Sequence, residues 1–284
     1  MKVVKTVLEM KEISRDALQK GKRISFVPTM GFFHEGHLEL IRCGRKLGDI
    51  LVVSLFVNPT QFGAGEDFDR YPRNEGRDHS LCTECGVDIL FQPEVSEMYI
   101  SDHSAIVMEK DLSMFLCGRS RPGHFQGVAT IVTKLFNIVR PSVAILGQKD
   151  VQQALIIKRI VRDLAMDVDI VIADTVRDTD GLALSSRNEY LSSEERHDAL
   201  CLNEALGLAR ILISSGERNS ESIRKKMISV IKQKKTAKID YVEIADVDTL
   251  KSVKRIKGDV LVALAVWIGK TRLIDNTKIY VSDK

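Results

Sequence analysis

The first half of the chain alternates short apolar runs with segments of helical periodicity. Ile24–Pro28 is an apolar run that ends at a turn, which is typical of a buried strand. Ile50–Val57 is almost entirely apolar and β-branched, as a central parallel strand buried on both faces is. Between them, Leu38–Leu47 has apolar residues at helical spacing. The N-terminal residues alternate charged and apolar groups, which predicts a surface helix.

The same alternation continues along the chain. Residues Val128–Val139 repeat apolar side chains with the spacing of an amphipathic helix that stops before Pro141. The further predicted elements are strands at Asp88–Phe91, Val143–Leu146 and Val168–Ile172, and a helix at Val151–Leu164. Strands separated by helices predict an α/β fold with a Rossmann-like, doubly wound parallel sheet. Ligands of such sheets bind beyond the carboxyl ends of the strands.

The pattern changes in the last third of the chain. Ser192 and Glu195 form a candidate capping box for a helix that runs toward Ile213. A basic segment and two candidate strands follow, at Arg218–Lys238, Ile239–Ile244 and Val260–Ile268. We therefore predict two domains: a larger Rossmann-like, ligand-binding domain over residues 1–176 and a smaller α+β domain over residues 177–284.

Composition excludes several classes of protein. The chain has 284 residues, with 42 Lys and Arg against 39 Asp and Glu, so the net charge of +3 does not indicate a dedicated nucleic-acid or membrane-surface binder. Its five cysteines are scattered and do not predict a disulfide framework. No apolar run is long enough for a membrane span, and the N-terminus lacks the apolar core of a signal peptide. We expect a cytoplasmic location.

The loop Pro28–His37 carries the strongest chemical signal. It joins the first predicted strand to the first predicted helix and contains His34 and His37. Histidines three residues apart at a helix start lie near the helix N-terminus, where partial positive charge and N–H groups attract phosphate. Gly31 and Gly36 allow a ligand to approach the backbone closely. We predict a phosphate-binding loop; a His-x-x-His metal pair is the alternative.

Two other loops follow predicted strands. Asn58 and Gln61 offer amide groups that suit hydroxyl and carboxylate groups, although an Asn-Pro turn also explains Asn58. In the second loop, Lys149 suits a phosphate, and Asp150 suits a ribose hydroxyl or a helix N-cap. Gln153 lies one helical turn farther and could face the same cavity as Gln61.

Several remaining features have two interpretations. Leu184–Asn188 (LSSRN) combines two hydroxyls with a guanidinium, which predicts a pyrophosphate clamp or simply a hydrophilic loop. Cys82-x-x-Cys85 lacks a second pair, so zinc or redox use is not indicated. His124 could border the site or order the loop backbone. The basic segment Arg218–Lys238 is typical of a solvated helix face, because no stacking aromatic residues are interleaved with it.

Together these loops resemble a known family. An early His-x-Gly-His-like element and a late Ser-Ser-Arg element are similar to the HIGH and KMSKS signatures of adenylate-forming nucleotidyltransferases. The finer match is to the pantoate–β-alanine ligase family, which the chain resembles in six motifs that occur in order between Pro28 and Asn188: PTMGFFHEGH, FVNPTQFG, RYPR, RPGHFQGV, LGQKDVQQ and LSSRN.

The resemblance implies roles for individual residues. The implied ATP-binding set is Met30, Gly31, Phe32, Phe33, His34, Glu35, Gly36, His37, Gly147, Gln148, Lys149, Asp150, Val176, Leu184, Ser185, Ser186 and Arg187. The implied catalytic residues are His34, His37, Lys149 and Arg187, with His37 as the proton donor. Gln61 and Gln153 would hold pantoate, and Gln61 would also lie near β-alanine. No metal-binding residue is predicted.

Two positions depart from the family pattern. The family commonly has Met at position 184, where this chain has Leu, a nearly volume-conserving difference. It commonly has Glu at position 148, where Gln148 removes a negative charge. Neither difference touches the implied catalytic residues.

The activity that the resemblance implies is an ATP-dependent condensation of pantoate with β-alanine. A pantoyl adenylate would form first, and the products would be pantothenate, AMP and pyrophosphate. Mg²⁺ would accompany ATP, the larger domain would bind the nucleotide and pantoate, and the smaller domain would act as a lid. The chain would form a homodimer without nucleic-acid or membrane partners. The rival functions are a nucleotidyltransferase that leaves the nucleotide on its product, and a non-enzymatic nucleotide- or RNA-binding module.

Overall fold

The computed structural model describes residues 1–281 and divides the chain into two compact units. The first unit contains residues 1–110, 121–148 and 153–174. The second unit contains residues 111–120, 149–152 and 175–281. The domain boundary after residue 176 stays a prediction.

The elements alternate as the hydrophobic pattern predicts. The strands are β1 Lys2–Val4, β2 Ile24–Thr29, β3 Ile50–Leu55, β4 Ile89–Phe91, β5 Val143–Gly147, β6 Asp169–Ala173, β7 Ala237–Asp246, β8 Val260–Ile268 and β9 Thr271–Ile279. The helices are α1 Val7–Gln19, α2 Glu35–Leu47, α3 Glu75–Glu84, α4 Val95–Met98, α5 Cys117–Ser120, α6 His124–Val139, α7 Val151–Asp163, α8 Ser193–Ala199, α9 Cys201–Ser214 and α10 Ser220–Ile231.

The first unit is built on a six-stranded parallel sheet in the order β1-β4-β3-β2-β5-β6. The chain proceeds from β2 toward one edge through β3 and β4, and returns beside β2 with β5 to reach the other edge through β6. The strand order therefore reverses between β2 and β5, and the crevice at their carboxyl ends is the usual ligand site of such a sheet. This arrangement confirms the predicted doubly wound α/β fold.

Apolar side chains cover both faces of this sheet. Successive residues of β2 point to opposite faces. Phe26 packs on one side, where its ring and that of Phe136 in α6 pack edge to face with their centroids 6.2 Å apart. Val27 belongs to a separate core on the other side, together with Ile41 of α2. Burial on both faces explains why the strand sequences are continuously apolar rather than alternating.

The second unit contains an antiparallel sheet in the order β7-β8-β9. Its apolar core joins these strands to α9 and α10. The capping box before α8 forms as predicted: Ser192 and Glu195 exchange side-chain and backbone hydrogen bonds. The predicted helix that runs toward Ile213 is interrupted at Leu200, which separates α8 from α9.

Two strands have no counterpart in the hydrophobic pattern. The N-terminal segment contains α1, but β1 precedes it and pairs with β4. The prediction of a surface helix alone was therefore wrong over Lys2–Val4, a run too short to show periodicity. The second missed strand is β9, because polar residues interrupt its apolar alternation. Within residues 1–281, no helix is long and apolar enough to span a membrane.

Candidate active site

The histidine loop leaves the carboxyl end of β2 beside the reversal in strand order. Gly31 and Phe32 both adopt left-handed backbone conformations, with φ of +86° and +53°. A Cβ at position 31 would lie 3.0 Å from a carboxylate oxygen of Asp78. Both the left-handed backbone conformation and the lack of space for a Cβ therefore favour glycine here. The turn directs the chain into α2 and places the histidines at its first turn.

The side chain of Asp78, in α3, binds the backbone of this turn. Its carboxylate oxygens accept hydrogen bonds from the backbone N–H groups of Phe32 and Phe33, at 2.7 Å and 2.8 Å. The residue is buried, and burial raises the pKa of its carboxyl group although the two N–H donors act in the opposite direction. The sequence did not predict this contact, because it joins positions about forty-six residues apart.

The two histidines cap α2 reciprocally. Nδ1 of His34 accepts the backbone N–H of Gly36 at 3.1 Å, and Nδ1 of His37 accepts the N–H of His34 at 3.4 Å. The centroids of the two imidazole rings lie 4.1 Å apart. A nitrogen that accepts a hydrogen bond carries no proton, so each neutral ring has its hydrogen on Nε2. The cap thereby makes Nε2–H the donor of both rings.

Gln61 lies at the end of a short 3₁₀ turn that follows β3. Asn58 caps this turn, and its side-chain amide donates to Oε1 of Gln61 at 3.3 Å. Nε2 of Gln61 lies 2.8 Å from the sulfur atom of Met30 in the histidine loop. Tyr99 donates its hydroxyl hydrogen to the Asn58 amide oxygen at 2.8 Å. These contacts bring the predicted pantoate residue to the predicted ATP loop within the first unit.

The main chain of Gln61 is held by the N-terminus of α6. Nδ1 of His124 donates to the carbonyl oxygen of Gln61 at 2.8 Å, and Arg121 contacts the same oxygen at 3.4 Å. Burial acts to raise the pKa of Glu66, but its hydrogen bonds and ion pair with Arg121 outweigh it and lower that pKa. The contact of His124 supports the interpretation that this residue orders the loop backbone.

Close packing also shapes this turn. A Cβ on Gly127 of α6 would lie only 2.3 Å from the carbonyl oxygen of Thr60, so α6 can approach the Gln61 turn only with glycine there. The carbonyl of Gly127 accepts the side-chain amide of Asn58 at 3.2 Å. Gln153, the other predicted pantoate residue, lies in the first turn of α7 and belongs to the same unit.

The second unit contains most of the other predicted nucleotide residues. Lys149 and Asp150 belong to a 3₁₀ turn, and Lys149 Nζ lies 3.7 Å from the Asp150 carboxylate. Farther along, the N–H of Leu184 donates to the carbonyl of Val176 at 3.1 Å, which makes these two predicted ATP residues neighbours. Ser185 accepts the N–H of Arg187 at 3.3 Å and begins a 3₁₀ turn in which Ser186 is buried.

The cysteine pair carries no indication of metal or redox chemistry. Cys82 is buried in the apolar core between α2, α3 and the sheet. Burial raises the pKa of its thiol to about 12, so the thiolate that binds metals and reacts with oxidants is rare at neutral pH.

Comparison with known proteins assigns the family. The model of the pantoate-beta-alanine ligase family matches residues 2–278. This chain belongs to the pantoate–β-alanine ligase family. The match extends through most of β9, so it includes the C-terminal region beyond the last sequence motif, which ends at Asn188.

Curated relatives and solved structures agree with this assignment. A pantothenate synthetase of Pseudothermotoga lettingae is 56% identical over 277 residues, which cover 98% of each chain. A crystal structure of pantothenate synthetase from Thermus thermophilus superposes with a TM-score of 0.94 at 40% identity, over 99% of this chain and 100% of that one. A pantoate-beta-alanine ligase of Francisella tularensis, complexed with beta-gamma ATP and beta-alanine, is 34% identical with a TM-score of 0.79, over 98% and 97% of the two chains.

These findings confirm the predicted family, the α/β fold and the ligase class of this enzyme. The roles of individual residues stay predictions. The structure does place the histidine pair, Met30 and Gln61 together in the first unit, and it places Val176 beside Leu184 in the second.

Proposed function

We propose that this ligase condenses pantoate with β-alanine in two steps, through a pantoyl adenylate, and releases pantothenate, AMP and pyrophosphate. The observation that carries the proposal is the histidine pair at the N-terminus of α2, beside the reversal in strand order. Its reciprocal cap makes Nε2–H the donor of each ring, and such donors at a helix N-terminus suit phosphate oxygens. The family match supplies the substrates.

In the first step, a carboxylate oxygen of pantoate attacks the α-phosphorus of ATP. The bond from the α-phosphorus to the bridging oxygen breaks, and pyrophosphate leaves with the electron pair. Negative charge grows on the phosphate oxygens during this step, so fixed donors and cations lower its barrier. We assign this role to the Nε2–H groups of His34 and His37 in the first unit, and to Lys149 and Arg187 in the second.

In the second step, the amine of β-alanine attacks the acyl carbon of the adenylate. An amide bond forms, AMP leaves with the bridging oxygen, and the amine nitrogen loses a proton. The amine must be uncharged to attack, and water must be excluded because it would hydrolyse the adenylate. Gln61 would help to place both acids, because its amide offers a donor and an acceptor.

Mg²⁺ is the proposed partner of ATP. Magnesium is commonly held by substrate phosphates and water, with only one or two protein carboxylates. Both oxygens of Asp78, the buried carboxylate that contacts the histidine loop, already accept backbone N–H groups. We therefore assign the ion to the ATP phosphates. The homodimer remains a proposal that follows from the family resemblance, and the cytoplasmic location remains an expectation from the sequence.

A variant of Gln61 tests substrate placement. Gln61→Leu keeps the volume but removes the amide, and we expect KM for pantoate to rise at least tenfold, since an unpaired buried polar group costs roughly 1–3 kcal/mol. KM for ATP should change less than threefold. Steady-state kinetics with each substrate varied measures both. Gln233→Leu on the exposed surface is the matched control, and an unchanged KM for pantoate in Gln61→Leu would remove Gln61 from the pantoate site.

A product assay tests the proposed reaction against its rivals. Purified protein with ATP and Mg²⁺ is given pantoate, β-alanine, both or neither, and AMP, pyrophosphate and pantothenate are quantified. We expect sustained and equal formation of all three products only when both acids are present. A nucleotidyltransferase would release pyrophosphate and keep the nucleotide on its product, so turnover without AMP would contradict the proposal. A binding module would show no turnover.

A further inference from the structure

Two buried polar residues stand side by side on β9. Asp275 is 2% exposed and Asn276 is 4% exposed, in a strand whose other buried positions include Leu273 and Ile279. Neighbouring side chains of a strand point to opposite faces of the sheet. The two residues therefore reach different parts of the second unit, and each contacts a different segment.

Asp275 contacts the segment that leads to the Ser-Ser-Arg element. Its carboxylate oxygens accept hydrogen bonds from both terminal nitrogens of Arg177, at 2.6 Å and 2.9 Å. Arg177 also donates to the carbonyl of Gly181 at 3.1 Å, and its backbone forms a bridge with Ala183. The Asp275–Arg177 pair thereby fixes the two arms of the hairpin that ends at Leu184.

Asn276 contacts the other segment. Its side-chain amide donates to the carbonyl oxygen of Lys149 at 2.9 Å. This hydrogen bond holds the backbone of Lys149, whose ammonium group we assign to an ATP phosphate. It therefore fixes the point from which that side chain extends.

A buried ion pair can often be replaced by apolar side chains of similar volume without loss of stability, because desolvation offsets much of the charge attraction. An apolar residue at position 275 would extend the core that Leu273 and Ile279 already form. What an apolar residue cannot do is bind the hairpin through two directed hydrogen bonds.

We propose that Asp275 and Asn276 are positioning residues for ATP, each anchoring one nucleotide segment of the second unit. Asp275, through Arg177, sets the hairpin that carries Leu184 and leads to Arg187. Asn276 sets the backbone of Lys149. The functional part of this inference rests on the proposed function, whereas the anchoring itself does not.

Hydrogen–deuterium exchange of the full-length protein tests the anchoring directly. We expect Asn276→Ala to accelerate amide exchange at least tenfold in residues 148–151 and less than twofold in residues 177–187. Asp275→Asn should give the reverse pattern. Thr277→Val is the matched control, because Thr277 is also buried on β9 but its hydroxyl accepts a hydrogen bond from Arg210 of α9.

The outcomes separate anchoring from a general structural role. If either variant accelerates both segments equally, or if exchange rises mainly in β8, the proposal is overturned. Should Asp275→Asn fail to fold, the double variant Arg177→Met/Asp275→Leu replaces the pair by apolar side chains of similar size. It should fold, and it should still accelerate exchange in residues 177–187; normal protection there would also overturn the proposal.

Kinetics then connects the anchors to ATP. We expect Asn276→Ala to raise KM for ATP about tenfold, with KM for β-alanine within twofold of the unchanged protein. Thr277→Val should leave both constants within twofold. A rise in all KM values together would overturn a specific role toward ATP. Segment-selective exchange in a protein without ligase activity would instead overturn the proposed function and leave the anchoring intact.

Discussion

Replacing His37 by alanine should slow pantoyl adenylate formation by about 10²–10³-fold, equivalent to roughly 2.7–4 kcal/mol of transition-state stabilisation. The variant loses an Nε2–H donor that the α2 cap holds in one orientation. Because that donor acts on charge that grows during the reaction, kcat should fall more than KM for ATP rises. Pantoate-dependent exchange of labelled pyrophosphate into ATP measures this step without β-alanine.

A second substitution separates the phosphate donor from the helix cap. Gln is a common residue at this position of a capping box, so His37→Gln keeps an acceptor for the backbone N–H of His34. We expect His37→Gln to unfold at nearly the temperature of the unchanged protein and still to lose at least tenfold in exchange rate. His197→Ala, in α8, is the control for loss of an imidazole. Exchange within threefold of normal in His37→Ala would end the assignment of this residue.

The second large effect is expected at Lys149. Lys149→Ala should lower kcat by about 10²–10³-fold, since it removes a cation assigned to the phosphates as pyrophosphate leaves. The fold should persist, because the ion pair with Asp150 spans 3.7 Å and is partly exposed, and such pairs contribute about 0–1 kcal/mol. Single-turnover adenylate formation and thermal unfolding measure the two effects.

The matched control for Lys149 lies in the following helix. Lys158 is an exposed residue of α7, and Lys158→Ala removes the same charge from the protein without touching the 3₁₀ turn. We expect its rate and unfolding temperature to remain unchanged. Equal rates in Lys149→Ala and Lys158→Ala would show that Lys149 contributes only to net charge, and its catalytic role would then be withdrawn.

Periodicity predicted the elements that bury an entire face. Ile50–Val57 and Val143–Leu146 are strands in the structure, with ends that differ by one or two residues, and Val260–Ile268 is a strand over the same range. A strand that is buried on both faces has a continuous apolar run, and such a run can be recognised in the sequence alone. Strand β9 was not predicted because Asp275 and Asn276 occupy buried positions in it. Their polar contacts, which make burial possible, form only in the folded chain.

The candidate site was predictable where its residues are close in sequence. His34 and His37 share one helical turn, and a loop after a buried strand indicates a ligand position. The contact of Asp78 with the histidine loop was not predictable, since its partners Phe32 and Phe33 lie far away along the chain. For His124 the sequence left two interpretations open, because its contact with the carbonyl of Gln61 depends on the approach of α6. Such supporting contacts leave no periodic signal.

In the proposed reaction, the carboxylate of pantoate becomes bonded to the α-phosphorus of ATP. Pantoate labelled with ¹⁸O in both carboxylate oxygens tests it, with mass spectrometry of the products after complete turnover with β-alanine. One labelled oxygen should appear in each AMP, because the bridging oxygen leaves with the nucleotide, and the other should remain in the amide carbonyl of pantothenate. Unlabelled AMP, or label in pyrophosphate, would contradict the adenylate pathway.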